Sequence, residues 1–234
     1  MGVGTSGSPR EILQANRERT KAMVEATGTR RTRELLTRAA RDLEKRLEGI
    51  PKDGDEAFTI TRMRLTLAQI REVMRTVKMG MGKEIQDTGK RAAERESTEL
   101  LRYMAAAEKR FSGITQPMAI DQARVTSRAV AMADSSVLNR INSDPSHPGQ
   151  PGVLERYGDA TIRSFEETLA MRLVAQTPWE NVRNELIKSS PFLQGKPLHW
   201  AERIVRTEAI AANNAAGFET IRQAKLEFGD MAKI

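Results

Sequence analysis

The sequence contains no cysteine, which excludes disulfide stapling and every thiolate metal site and fits a reducing compartment. Histidine is nearly as scarce. His147 and His199 are the only two and lie far apart in the chain, so a zinc site or a histidine-based triad has almost nothing to be built from. Aromatic residues make up 4% of the chain, and much of the apolar fraction is alanine. Such side chains hold helices together but fill a thick core poorly, which points to an extended helical body. No apolar run approaches the roughly 18 residues that a bilayer-spanning helix needs, and the N-terminus lacks the apolar core of a secretory signal. Met1-Gly2-Val3-Gly4-Thr5-Ser6 matches a myristoylation pattern. A short Gly/Ser tail accounts for it equally well, and no second membrane signal accompanies it, so no membrane association is expected.

What is present is charge. The 234 residues include 38 lysines and arginines against 31 acidic residues, a net charge of +7 and a pI near 9.9. A basic balance favours acidic partners such as DNA, RNA or an acidic protein surface. The intermixed acids also fit an arginine-rich soluble helical surface, which is the plainer reading. The length allows one large or two modest domains, at about 100–200 residues each.

Along the chain the signals are helical. Residues 1–8 form a glycine-rich tail, expected to be mobile. Ser8-Pro9-Arg10-Glu11 reads as a helix start, with a capping serine, proline at the first helical position and glutamate completing a capping box. That helix is expected to run to about Ala26 and to end or kink at Gly28. A second helix covers roughly 30–48, with Leu36, Ala39, Leu43 and Leu47 on one face. Arg30, Arg31, Arg33, Arg38 and Arg41 decorate the rest of it. They are candidates for nucleic-acid contact, although Glu34, Glu44 and Glu48 dilute them, and a solvated or protein-facing helix is the preferred reading. Gly49 to Glu56 reads as a loop.

The clearest periodicity is Ile60, Met63, Leu67, Ile70, Met74, Val77 and Met81, alternating steps of three and four in a heptad seam over 60–81. It fits either an intermolecular coiled coil, through which the chain would self-associate, or an internal helical hairpin, the preferred alternative. The helix continues past Met81 or breaks at Gly82 and Gly89. Helix resumes through Leu100 to Phe111, Gly113 and Pro117 punctuate, and a further helix covers about 118–140. The segment 142–152, rich in proline and glycine, reads as a linker between an extended N-terminal helical region, 9–141, and a C-terminal helical module, 153–234. In that module a helix over 157–175 uses Ile162, Phe165, Leu169 and Leu173. Thr177-Pro178-Trp179-Glu180 repeats the capping-box pattern before a short helix to about Lys188. Ser189 to Gly195 reads as a loop, and the last helix runs from Pro197 to about Phe228. The fold class is all-α: an elongated bundle of long helices with a C-terminal helical module and little or no strand.

The most specific stretch lies in that last helix, Arg203-Ile-Val-Arg-Thr-Glu-Ala-Ile-Ala-Ala-Asn-Asn-Ala-Ala-Gly217. At about 100° per residue, Trp200, Ile204, Ala211, Ala215 and Phe218 line one face. Arg203, Thr207 and Asn214 fall on one edge of it, Glu208 on the opposite edge, and Arg206 points away. Buried polar groups need partners, since an unpaired one costs about 1–3 kcal/mol. The expectation is a polar latch of Arg203, Thr207, Glu208 and Asn214 fixing this helix on the 157–188 pair, with Arg206 left for a partner or nucleic acid. A catalytic reading would use Glu208 as acid or base, with Arg203 or Arg206 holding an anion. It lacks a nucleophile with an adjacent base, a metal cluster and a glycine-rich phosphate loop. Neither enzymatic activity nor a metal or cofactor is expected.

Arg203-Ile-Val-Arg-Thr-Glu208, followed by Asn214, resembles the motif helix of the phage Mu F-like head-morphogenesis (minor head or minor capsid) protein family. Residues 162–188, with Thr177-Pro-Trp-Glu-Asn-Val-Arg-Asn-Glu-Leu, resemble the helix, short turn and second helix that precede it. The likeness covers about 155–228. It implies a structural virion protein of a tailed bacteriophage, acting in head assembly at low copy at or near the portal and packaged with the genome. The implied partners are the portal, the major capsid protein or both, and packaged double-stranded DNA. The implied location is the capsid interior or portal vertex, and the host cytoplasm during assembly. The motif positions carried over are Arg203, Arg206, Thr207, Glu208 and Asn214, in a structural or partner-binding role. The alternative is a basic DNA-binding internal virion protein. Family members commonly continue into a strand-rich segment, whereas this sequence stops at Ile234, and a longer product is the expectation.

Overall fold

The computed structural model describes residues 9–50, 58–111, 121–143, 149–190, 192–194 and 198–231. The tail 1–8 with its capping Ser8, most of the 49–56 loop, Gly113, Pro117 and His147 lie outside them, as do the side chains of His199 and Trp200.

The described chain is all helical: α1 (Pro9–Met23), a π-helical turn (Val24–Thr29), α2 (Arg30–Glu48), α3 (Ile60–Phe111), α4 (Gln122–Asn142), α5 (Val153–Val174), α6 (Trp179–Ser189) and α7 (Leu198–Met231). No strand occurs among the described residues. An isolated antiparallel bridge joins Ser143 and Pro151. Across it, a Cβ on residue 152 would stand 1.9 Å from the Ile141 carbonyl oxygen, so only glycine fits there.

Two expected boundaries take a different form. Near Gly28 the regular α-helix ends at Met23 and gives way to the π-turn Val24–Thr29, which is followed directly in sequence by α2. Within that turn the Thr27 hydroxyl donates to the Met23 carbonyl at 2.6 Å, taking an acceptor from the regular ladder. Gly82 and Gly89 do not interrupt α3, which runs unbroken for 52 residues. A Cβ on residue 89 would meet Ala212 Cβ and Val137 Cγ2 at 3.3 Å, so this glycine serves close packing.

The compact units interleave. Unit 1 comprises 1–29, 85–139 and 205–234, and unit 2 comprises 30–84 and 140–204. The 142–152 segment, expected to separate two modules, therefore lies wholly inside unit 2. The division falls at the junction of the π-turn with α2 and within α3, α4 and α7.

Unit 2 has a core of large side chains. Leu36, Leu43 and Leu47 of α2 are buried, with Leu67, Ile70, Val73, Met74, Val77 and Met81 of α3, Phe165 and Leu169 of α5, and Val182 and Leu186 of α6. The heptad seam is thus buried within a single chain from Leu67 onward, as the internal alternative requires, while Ile60 at its start is 58% exposed. The corner before α6 is not a capping box. Pro178 is the N-cap residue, and no side chain caps the helix. Instead the Thr177 carbonyl accepts the Phe58 N–H at 2.9 Å, and Trp179 stacks on Phe58 with centroids 5.6 Å apart. Ion pairs bridge helices around this core: Arg71 to Glu166 at 2.7 Å, Lys78 to Glu155 at 3.0 Å, and Arg172 to Glu185.

Unit 1 is built differently. Its buried apolar residues are mostly small: Ala92 and Ala93 of α3, Ala129 and Ala133 of α4, and Ala209, Ala212, Ala216 and Ala224 of α7. Polar side chains share this interior, among them Asn16, Thr20, Thr88, Glu96, Ser97, Asn213, Thr220 and Gln223. Alanine lets helix backbones approach closely but contributes little apolar area, at roughly 25 cal/mol per Å² buried. Specific hydrogen bonds therefore carry more of the burden of fixing register in this unit.

Candidate functional site: the two faces of the last helix

Helix α7 carries the stretch that the sequence singles out. Within unit 1 its inward side presents Val205, Glu208, Ala209, Ala212, Asn213, Ala216, Glu219, Thr220, Gln223 and Ala224, all buried. The outward side presents Thr207, Ile210, Asn214, Phe218, Ile221 and Lys225, all exposed. Arg203 and Arg206 are exposed as well.

The sequence expectation thus has the right register and the wrong phase. Arg203, Thr207 and Asn214 do share one side of the helix, but it is the outward side, so they form no packed latch. Glu208, assigned to the far edge, is the member that is buried. Phe218, assigned to the packed face, is 78% exposed. The reason is physical. Buried alanines of α7 line this interface, and a side chain as large as that of Phe218 would hold the helices apart there. The alanines of α7 spread over a broad arc of the helix, so the sequence alone fixes the packed direction only loosely.

A polar latch does exist, made by residues that the sequence reading passed over. The Thr220 hydroxyl donates to Ser97 Oγ of α3 at 2.9 Å, sharing its proton with the Ala216 carbonyl at 2.8 Å. Ser97 donates on to Thr126 Oγ1 of α4 at 3.3 Å. One turn along, Arg128 Nη1 of α4 donates to Gln223 Oε1 at 2.8 Å. Gln223 Nε2 donates to Glu219 Oε1 at 2.6 Å, which Arg222 also holds, at 2.6 Å. On the other flank Asn16 Nδ2 of α1 donates to Glu96 Oε2 at 3.1 Å. The available sequence signal is phase: Thr220 and Gln223 keep step with Ala209, Ala212 and Ala216.

The electrostatics are those of fastening. The Glu219 carboxyl is held below the usual carboxylate range, first by its hydrogen bond from Arg222 and then by Gln223 and the nearby positive charges, against the opposing effect of burial. Glu72 is lowered in the same way by Arg75, and burial pushes the Tyr157 phenol up. Among the described residues no group of three or more histidines, aspartates and glutamates is placed to hold a metal ion, and no helix is long and apolar enough to cross a membrane.

The arginines of α2 are largely compensated. Arg30 lies 3.7 Å from Glu34, Arg31 lies 3.8 Å from Glu84, and Arg33 holds Glu202 at 2.5 Å. Arg38 donates to the Glu34 carbonyl at 3.4 Å, and Arg41 is exposed. Comparison with protein-family models, curated proteins and solved structures gives no match.

Proposed function

We propose that this chain is a structural virion protein, a minor head protein of a tailed bacteriophage that acts in head assembly at or near the portal vertex and is packaged with the genome. The resemblance of Arg203 to Asn214 and of the helical pair before it to the Mu F-like motif supports this reading. The observation that carries it is the outward placement of Arg203, Thr207 and Asn214. Side chains in a recognisable motif that do not pack the protein's own core are available to a partner, and the portal or the major capsid protein is the partner this reading names. Assembly would take place in the host cytoplasm, and the mature location would be the capsid interior or portal vertex.

The test is incorporation. Arg203→Ala and Asn214→Ala should leave thermal melting within about 0.5 kcal/mol of the parent, as exposed substitutions do, and should lower the amount of chain recovered in purified heads. A chain absent from heads that also fails to bind purified portal would remove the proposal.

Contact with packaged DNA is the second reading. It is favoured by Arg38 and Arg41, exposed on α2 and without a carboxylate partner among the described residues. Its mark is salt dependence: log affinity for duplex DNA should fall by about 0.9 per log unit of salt for each phosphate contact, and Arg38→Ala or Arg41→Ala should reduce that slope.

A further inference from the structure

A groove of about 510 Å³ runs in unit 1 between α1 with its π-turn on one side and α7 on the other. Val24, Ala209, Ile210 and Phe218 give it apolar walls. Thr20 and Asn213 also line it, although they are only 5% and 6% exposed. Thr20 Oγ1 and Asn213 Oδ1 have no hydrogen-bond partner within the protein. Leaving such groups unsatisfied is unfavourable, so their position in a groove calls for something polar to enter it. Beyond the groove the apolar stripe continues outward along α7, where Ile210, Phe218 and Ile221 are all exposed.

The charge around this stripe has one sign on α7. Between residues 205 and 226 the helix has two carboxylates, Glu208 and Glu219, and both are buried in unit 1. Its exposed charges there are Arg206, Arg222 and Lys225. Arg222 also holds Glu219, and on the opposite wall the exposed Glu18 lines the groove. The surface is apolar at its centre, basic on its α7 side near Arg222 and Lys225, carries Glu18 on its α1 side, and has hydrogen-bonding groups at depth.

We propose that this groove docks an acidic amphipathic helix of a partner protein. The partner's apolar side chains lie against Ile210 and Phe218, its carboxylates face Arg222 and Lys225, and a polar side chain meets Thr20 and Asn213. Helix-in-groove recognition uses anchors at three- and four-residue steps, and a well-exposed aromatic is the side chain that most often becomes the dominant anchor. A second copy of this chain is a poorer occupant, because each chain carries +7 and self-docking sets basic rim against basic rim. Duplex DNA is poorer too, since its phosphate backbone has no apolar side chains to cover the exposed Ile210 and Phe218.

The full-length chain can be titrated with a labelled helical peptide of about 18 residues, five helical turns, with leucines at three- and four-residue steps and glutamates elsewhere. The comparators are a scrambled peptide of the same composition, a version with lysine for glutamate, and duplex DNA. The acidic amphipathic peptide should bind best, and more weakly as salt is raised. Phe218→Ala and Ile210→Ala should each weaken it about tenfold with unchanged melting, because both side chains are exposed. Equal binding of the scrambled or lysine peptide, no binding of the acidic one, or indifference to Phe218→Ala would overturn the proposal. DNA binding that is lost with Phe218→Ala would overturn it in favour of a nucleic-acid surface. None of these outcomes bears on recovery of the chain in heads, so failure here leaves the head-protein reading to its own test.

Discussion

The Thr220 hydroxyl of α7 meets the Ser97 hydroxyl of α3 at 2.9 Å in the interior of unit 1, across 123 positions of sequence. Both side chains are fully buried. The buried alanines of α3 and α7 have no directional groups with which to set the register of the two helices, whereas a hydrogen bond at one point fixes it.

Thr220→Val keeps the shape and deletes the hydroxyl, so it should cost about 1–3 kcal/mol by urea unfolding. Ser97→Ala should cost a similar amount. The double variant should lose less than the sum, because neither partner is then left waiting, with a coupling of about 0.5–3 kcal/mol. Strict additivity would show that the two hydroxyls act independently.

Two buried glycines should respond in opposite directions to alanine. In a helix interior alanine is favoured over glycine by about 0.8–1.0 kcal/mol. At Gly217 the new methyl would find Glu96 Oε1 at 3.5 Å and Leu100 Cδ1 at 3.6 Å, ordinary contacts, so Gly217→Ala should stabilise by up to that amount. At Gly28 it would meet Thr88 Cγ2 and Val205 Cγ1 at 2.9 Å, both on β-branched side chains that cannot easily swing away. Overpacking of this kind costs about 1–3 kcal/mol, which exceeds the helical gain, and Gly28→Ala should lower the melting temperature.

The heptad seam should prove unequal along its length. Ile70 is fully buried and Ile60 is 58% exposed. Ile70→Ala should cost about 2–5 kcal/mol, and Ile60→Ala should stay within about 0.5 kcal/mol. Comparable losses at both positions would mean that the seam is covered along its whole length, as an intermolecular coiled coil would cover it.

Acid should loosen the Glu219 cluster. Its carboxyl is held down by Arg222 and Gln223 in the folded chain, while in the unfolded chain a glutamate takes up its proton at about pH 4.3. Over the interval between the two, the unfolded state binds more protons, so the contribution is fully present above the unfolded value and lost as pH falls through the folded one. Melting curves collected from neutral pH into strong acid should show a shallower acid decline for Glu219→Gln than for the parent. Parallel declines would show that Glu219 does not sense acid through folding.

Helical segments were legible in the sequence because periodicity is a local property. The seam from Leu67 to Met81, the α2 stripe of Leu36, Leu43 and Leu47, and the span of α7 all follow from residue spacing. The candidate site was legible in part. Arg203, Thr207 and Asn214 do share one side of a helix, since i, i+4 and i+11 fix that by themselves, but whether this side faces the protein or the solvent is not a local matter.

The sequence by itself therefore determined an all-helical chain, the approximate helix limits and the common side of the motif residues, since each depends on spacing along one segment. The tertiary structure decided that Thr220, Glu219 and Gln223, rather than Arg203, Thr207 and Asn214, meet neighbouring helices. It also decided that Gly28 lies in close approach to Thr88 and Val205, and that the compact units interleave along the chain. These outcomes depend on residues far apart in sequence. An alanine-rich helix such as α7 could pack on more than one side, and the choice is made by what Ser97 and Arg128 present to it.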